Sequence, residues 1–221
     1  MLRLVRAVAV AIQALLDVIL PRKERVVRIE QYVLEDLSIS PAEQEACGIS
    51  ITTLLSYREK AVEDLIRAVK YDGSHQAATL LAEVLAEYLR EEIASLRSFS
   101  TRPILLIPLP LHPERRAARG FNQIEFIIEK LPIEFHDGSL SRIGRDVLVR
   151  VRETRQQTHL SRTERLTNVK GAFAVSDLAS AVDAYAFVID DVTTTGATLA
   201  EAVRPLTSLG VPTCALALAR A

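Results

Sequence analysis

Residues 187–192 read FVIDDV, an apolar run that ends in two adjacent aspartates and passes at once into TTTGATL (193–199). The run does not alternate apolar with polar, so it does not suit a strand with one wet face. It suits a short strand buried on both faces, and such strands occur in parallel sheets covered by helices on either side. Two other stretches have the same texture, PILLIPLP (103–110) and TCALALA (213–219). Between FVIDDV and TCALALA lies TLAEAVRPLTSLG (198–210), a helical pattern closed by Gly210. Strand, helix, strand in that order predicts an α/β fold with a parallel sheet flanked by helices.

The remaining chain fits that frame. ITTLLSY (51–57) reads as a strand and EKAVEDLIRAVK (59–70) as a helix, with a turn at Tyr71-Asp72-Gly73-Ser74. From His75 to Leu96, apolar residues at Leu80, Leu81, Val84, Leu85, Tyr88 and Leu89 predict an amphipathic helix. FNQIEFIIEKL (121–131) reads as a helix, and residues 132–172 as short strands with a cationic segment. That segment carries Arg142, Arg145, Arg150, Arg152, Arg155, Arg162, Arg165 and Lys170 against Asp146, Glu153 and Glu164. At the N-terminus, Leu4, Val8, Ile12, Leu15, Leu16 and Ile19 recur at helical spacing until Pro21. Gln13 and Asp17 interrupt this stretch and no small-residue cleavage site follows, so it reads as a docked amphipathic helix, not a signal peptide or a membrane span. Residues 22–50 have no clear periodicity. The expected organisation is an N-terminal helix and hood-like extension over 1–50, then the α/β domain over 51–221.

Composition bounds the function classes. With 221 residues, 49% of them hydrophobic, the chain can bury a sizeable core. A net charge of −1 gives no global reason to expect nucleic-acid or membrane binding. Cys47 and Cys214 are the only cysteines, which argues against a secreted disulfide scaffold and leaves no four-cysteine zinc site. A reducing, cytoplasmic compartment is expected.

In an open α/β sheet, ligands bind beyond the C-terminal ends of the strands, which is where Thr193–Thr198 should lie. A loop that opens a helix offers unpaired N–H groups and the positive end of the helix dipole, so it suits a phosphate. Gly196 permits close backbone approach or a positive φ, and Thr193, Thr194, Thr195 and Thr198 add hydroxyl donors. The lysine of a nucleoside-triphosphate loop is missing. Asp190 and Asp191 are out of place beside a phosphate alone. They suit ribose hydroxyls or a magnesium ion, which is often held through water. Phosphoribosyl pyrophosphate (PRPP) carries all of these groups. Because successive side chains of a strand point to opposite faces, the two aspartates should not share one direction. The bland alternative is a strand with a polar end and a threonine-capped helix.

The stretch resembles the PRPP signature of type I phosphoribosyltransferases. IPLPLHPERRAARGFNQ (107–123), RVRET (150–154), QTHLSRTERLTNVKGAF (157–173), AVKYDGS (68–74) and the final LALAR are similar to segments of the ComF family of competence-protein-like phosphoribosyltransferases. The resemblance covers residues 55–221. It implies that Val192, Thr193, Thr194, Thr195, Gly196, Ala197 and Thr198 hold the PRPP 5′-phosphate, and that Asp190 and Asp191 face the ribose hydroxyls and magnesium. It implies that the loop after residues 103–110 binds pyrophosphate, and Arg115 and Arg119 have the bidentate geometry for that. The cationic segment matches the mobile loop that closes over the site in such enzymes. Many family members carry an N-terminal zinc module, but PRKERVVRIEQYVLEDLSI stands in its place here, so no zinc is expected.

Other polar residues read less sharply. Arg162 and Arg165 fit either the closing loop or a solvated helix face. Lys70 and Tyr71 read as a packed turn, Asn122 and Gln123 as a helix cap or brace, and His112 and His159 as structural. Arg116 matches the family less well. The expected activity is transfer of the phosphoribosyl group to a nucleobase-like acceptor, with magnesium as cofactor. The alternative is a non-catalytic PRPP- or nucleotide-binding protein linked to DNA uptake. No membrane or nucleic-acid partner is evident, and a homodimer is left open.

Overall fold

The computed structural model describes residues 24–112, 114, 116–117, 120–152 and 169–221. The predicted N-terminal helix, Arg115, Arg119, Arg155, His159, Arg162 and Arg165 lie outside the described residues.

The three apolar runs form the middle of one sheet. Its strands are β1 (Ala42–Ala46), β2 (Ile49–Ser56), β3 (Ile104–Pro108), β4 (Arg142–Ile143), β7 (Tyr185–Thr193) and β8 (Thr213–Arg220). Their spatial order is β1-β2-β8-β7-β3-β4. β1 pairs with β2 antiparallel, and every other neighbouring pair is parallel. β5 (Leu148–Arg150) and β6 (Phe173–Val175) make a separate antiparallel pair. The helices are α1 (Glu24–Ile29), α2 (Lys60–Asp72), α3 (His75–Arg97), α4 (Gln123–Ile128) and α5 (Ala197–Ser208). This is the α/β, mostly parallel architecture expected of a type I phosphoribosyltransferase-like fold.

Both faces of the sheet are covered, which is why β7 carries no polar alternation. Phe187 and Ile189 face one cluster with residues of α2, α3 and α4. Ala186 and Val188 face a second cluster with Leu199, Ala202, Val203 and Leu206 of α5 and with the β5–β6 pair. α4 therefore lies on one face and α5 on the other. β3 leads through α4 to β4 in one direction, and β7 leads through α5 to β8 in the opposite direction. Winding reverses between β3 and β7, which makes their C-terminal ends a topological switch point, where ligands of such folds bind.

Two sequence expectations change in detail. The helix read over 121–131 is reduced to Gln123–Ile128, capped by Asn122 and followed by single turns up to Pro132, and the residue before a proline disfavours helical geometry. The unassigned stretch 22–50 contains α1 and β1. Ile29 and Leu37 are buried in the first cluster, and the β1–β2 hairpin spans the boundary expected at residue 50. Among the described residues no helix is long and apolar enough to cross a membrane.

Candidate active site

β7 outruns β3. Its last pairing with β3 is Ile189 with Pro108, so Asp190 and Asp191 stand just past the end of that neighbour. On the other side the ladder continues, with Asp190 opposite Ala217 and Thr193 opposite Arg220 of β8. The loop after β3 leaves at the same level, where Leu109 N–H donates to the Ile189 carbonyl at 2.8 Å. Both predicted loops thus start from adjacent strand ends.

The two aspartates differ in burial, although their carboxyls stay within reach of each other. Asp191 is buried and turns toward α2, where Lys70 Nζ lies 2.8 Å from its Oδ2. Its Oδ1 accepts from Val192 N–H at 2.7 Å. Asp190 is half-buried, and its Oδ1 accepts from Asp191 N–H at 2.8 Å. The carboxyl of Asp190 is pushed up to about 7, first by burial and then by the charge of Asp191, with Lys70 acting the other way. Hydroxyl donors or a cation beside it favour the ionised form. Burial disfavours the charge of Lys70, but the Asp191 carboxylate outweighs it and holds the ammonium above its ordinary range. Tyr57 follows β2, with its N–H on the Arg220 carbonyl at 2.8 Å. Its phenol is raised by burial, against the opposing charge of Lys70.

The loop after β7 depends on one glycine. Gly196 has φ +75°, and a Cβ there would lie 2.5 Å from Ile51 Cδ1 and 2.6 Å from Ala46 Cβ. No other residue type suits both the dihedral and the contact. The β1–β2 hairpin therefore packs directly against the loop, and Cys47 Sγ also reaches the Thr195 carbonyl at 3.8 Å. Thr193 is buried, Thr194 exposed, and Val192, Thr195 and Thr198 half-buried, while Gly196 and Ala197 are buried where α5 begins. Thr195 Oγ1 accepts from Ala197 N–H at 3.4 Å, and Ala200 N–H donates to the Gly196 carbonyl, so the first turn of α5 forms directly behind the loop.

The loop after β3 is closed at its base. Asn122 is buried; its Nδ2 donates to the Leu109 carbonyl at 3.0 Å and its Oδ1 accepts from Ile124 N–H at 3.1 Å. One side chain caps α4 and ties it to the first residue of the loop, as the brace reading expects. Arg116 reaches back to Glu125, with Nη2 3.2 Å from Oε2, and so is already paired within the chain. The described ends of the cationic segment also meet, because Val151 N–H donates to the Ala172 carbonyl at 2.9 Å and Arg152 Nη2 to the Lys170 carbonyl at 2.6 Å. Arg150 is buried, with its guanidinium 5.2 Å from the centre of the Phe173 ring.

Sequence reasoning brought Asp190, Asp191 and Thr193–Thr198 together and missed the part played by Lys70. A signal was present: Lys70 lies in the last turn of a helix that directly follows β2, so its side chain could reach the sheet's C-terminal edge. Among the described residues, no group of three or more His, Cys, Asp and Glu side chains forms a metal cage. Magnesium does not need one, since it keeps several waters and binds through one or two carboxylates plus substrate phosphates. The half-buried Asp190 carboxylate fits that mode.

No family model matches the chain. Curated relatives do. Competence protein ComFC of Streptococcus pneumoniae is 31% identical over 156 residues, 71% of this chain and 61% of that protein. Competence protein F of Haemophilus influenzae is 32% identical over 151 residues, 66% of this chain and 62% of that protein. DNA utilization protein YhgH of Salmonella typhimurium is 31% identical over 150 residues, 67% of this chain and 62% of that protein. The chain therefore spans roughly three-fifths of the length of these relatives.

Proposed function

The chain belongs to the ComF family, and on that premise we propose that it is a phosphoribosyltransferase, binding PRPP with magnesium and passing the phosphoribosyl group to a nucleobase-like acceptor. One observation carries this reading. A carboxylate pair and a helix-opening threonine–glycine loop stand together at the end of β7, at the switch point of a parallel sheet.

Each part has a task in the reaction. The backbone of Val192–Thr198 and its threonine hydroxyls hold the 5′-phosphate, which fixes the anomeric carbon at a distance from the anchoring group. The Asp190–Asp191 pair marks the side that meets the ribose hydroxyls and the metal, one carboxylate making the contact while the other braces the loop. Arg115 and Arg119 of the loop after β3 bind the pyrophosphate by paired N–H donors. The bond from the anomeric carbon to the pyrophosphate oxygen breaks and the leaving group keeps the electron pair. The acceptor nitrogen forms the new bond and gives up its proton to water or to the released pyrophosphate. Magnesium, when bound, neutralises charge on the pyrophosphate.

The names of the relatives favour a second reading, a PRPP- or nucleotide-binding accessory in DNA uptake without transfer activity. Release of pyrophosphate from PRPP over a panel of nucleobases separates the two. Turnover with one base supports the enzyme, and tight binding without turnover supports the accessory. If a variant with both Asp190→Asn and Asp191→Asn bound PRPP as the unaltered chain does, neither reading would stand.

A further inference from the structure

Within the proposed PRPP site, we propose that Lys70 and Asp191 are positioning residues, an internal ion pair that leaves Asp190 as the ligand-facing carboxylate. The inference rests on that reading for the identity of the ligand, but the ion pair itself is a property of the fold.

Three observations carry it. First, Lys70 Nζ and Asp191 Oδ2 are 2.8 Å apart, and the two side chains are 21% and 5% exposed. Such a pair is little screened by solvent, so breaking it strands a buried charge. Second, Asp191 Oδ1 accepts from Val192 N–H, and its Oδ2 has the Lys70 ammonium as its charge partner. Third, Asp191 is buried against α2 whereas Asp190, at the end of the β3–β7 pairing, is half-buried.

The charge arithmetic gives the pair its purpose. PRPP is strongly anionic, and two uncompensated carboxylates beside its sugar would oppose it. With Lys70 present and Asp190 ionised by its ligand, the three groups carry a net charge of −1, which is enough to accept hydroxyl donors or one cation from water. α2 supplies that cation and is itself held. Arg25 Nη2 of α1 lies 2.5 Å from Asp72, two residues beyond Lys70. Gly73, at φ +59°, ends the helix immediately afterwards. The lysine is thus set at a fixed height against β7.

A loss of packing and a change of charge predict different outcomes for Lys70→Met. On the charge argument, the freed carboxylate makes the site more anionic. Binding of Mn2+ alone, followed by calorimetry on the full chain, should strengthen by about tenfold, while binding of PRPP in EDTA should weaken by about tenfold. Lys70→Arg should restore most of both. Adding Asp191→Asn to Lys70→Met removes the stranded charge and should return both affinities to within about threefold of the unaltered chain. If Mn2+ and PRPP affinity fell together with the melting temperature and the double variant did not recover, the pair would be structural only and the inference would be overturned. The same holds if neither affinity moved. If the unaltered chain failed to bind PRPP at all, the PRPP reading would fall, and the Mn2+ series would still decide the role of the pair.

Discussion

At the scale of single residues, the site turns on Asp190 and Gly196. Asp190→Asn keeps size and shape but removes the charge that the proposed PRPP site turns to its ligand. It should weaken magnesium-dependent PRPP binding by about tenfold or more with little change in melting temperature, measured by calorimetry and thermal denaturation. Gly196→Ala should behave in the opposite manner. The new Cβ meets Ile51 and Ala46, and the positive φ is strained for alanine. A loss of about 2 kcal/mol or more in unfolding free energy is expected. The sequence made both residues visible, because an acidic pair after an apolar run and a lone glycine before a helix have few other uses. It showed Lys70 only faintly, by its place in the last turn of the helix after β2. That residue lies 121 positions from Asp191, and only the sheet order brings β2 and β7 to one edge.

At the scale of elements, α1 holds α2 through the carboxylates of Asp64 and Asp72. Asp64 is 2% exposed and meets Arg28 Nε at 2.8 Å and Lys60 Nζ at 3.2 Å. Burial works to raise its pKa, but the hydrogen bonds from Arg28 and Lys60 prevail and hold it below the ordinary carboxylate range. A depressed folded pKa means that the stabilisation is complete above the unfolded value, near about 4, and fades as pH falls through the lower folded value. In urea titrations from pH 6 to pH 3, the unaltered chain should lose its advantage over Asp64→Asn at the acidic end. Asn122→Ala should cost about 1–2 kcal/mol, since it removes a helix cap and frees the Leu109 carbonyl. The long helices and central strands were legible because their periodicity is strong. α1 and β1 were not. AEQEA (42–46) is a polar edge strand with no apolar alternation, and only its pairing with β2 makes it a strand. Its charges suit an edge that must not recruit another chain.

At the scale of the whole molecule, the extension and the body share one core. Ile29 and Leu37 are 1% and 5% exposed in the cluster that covers α2 and α3. A chain beginning at residue 51 would uncover that cluster and leave β2 as an unprotected edge. Such a chain should melt at lower temperature and sediment as aggregates. The loop after β7 rests on the same hairpin, so the truncation at 51 should also weaken PRPP binding.

The strand order sets a schedule for folding. β2 has no lasting neighbour on its inner side until β8 arrives, and Ile51 pairs with Ala215 across more than 160 positions of chain. β3 waits in the same way for β7. During synthesis α2 and α3 can form early, but their sheet cannot close until residue 220 has left the ribosome. Closure of this kind is slow, because distant segments must meet before their contacts stabilise anything. For most of its synthesis the chain therefore carries exposed apolar strands, the condition in which a chain is most prone to aggregate.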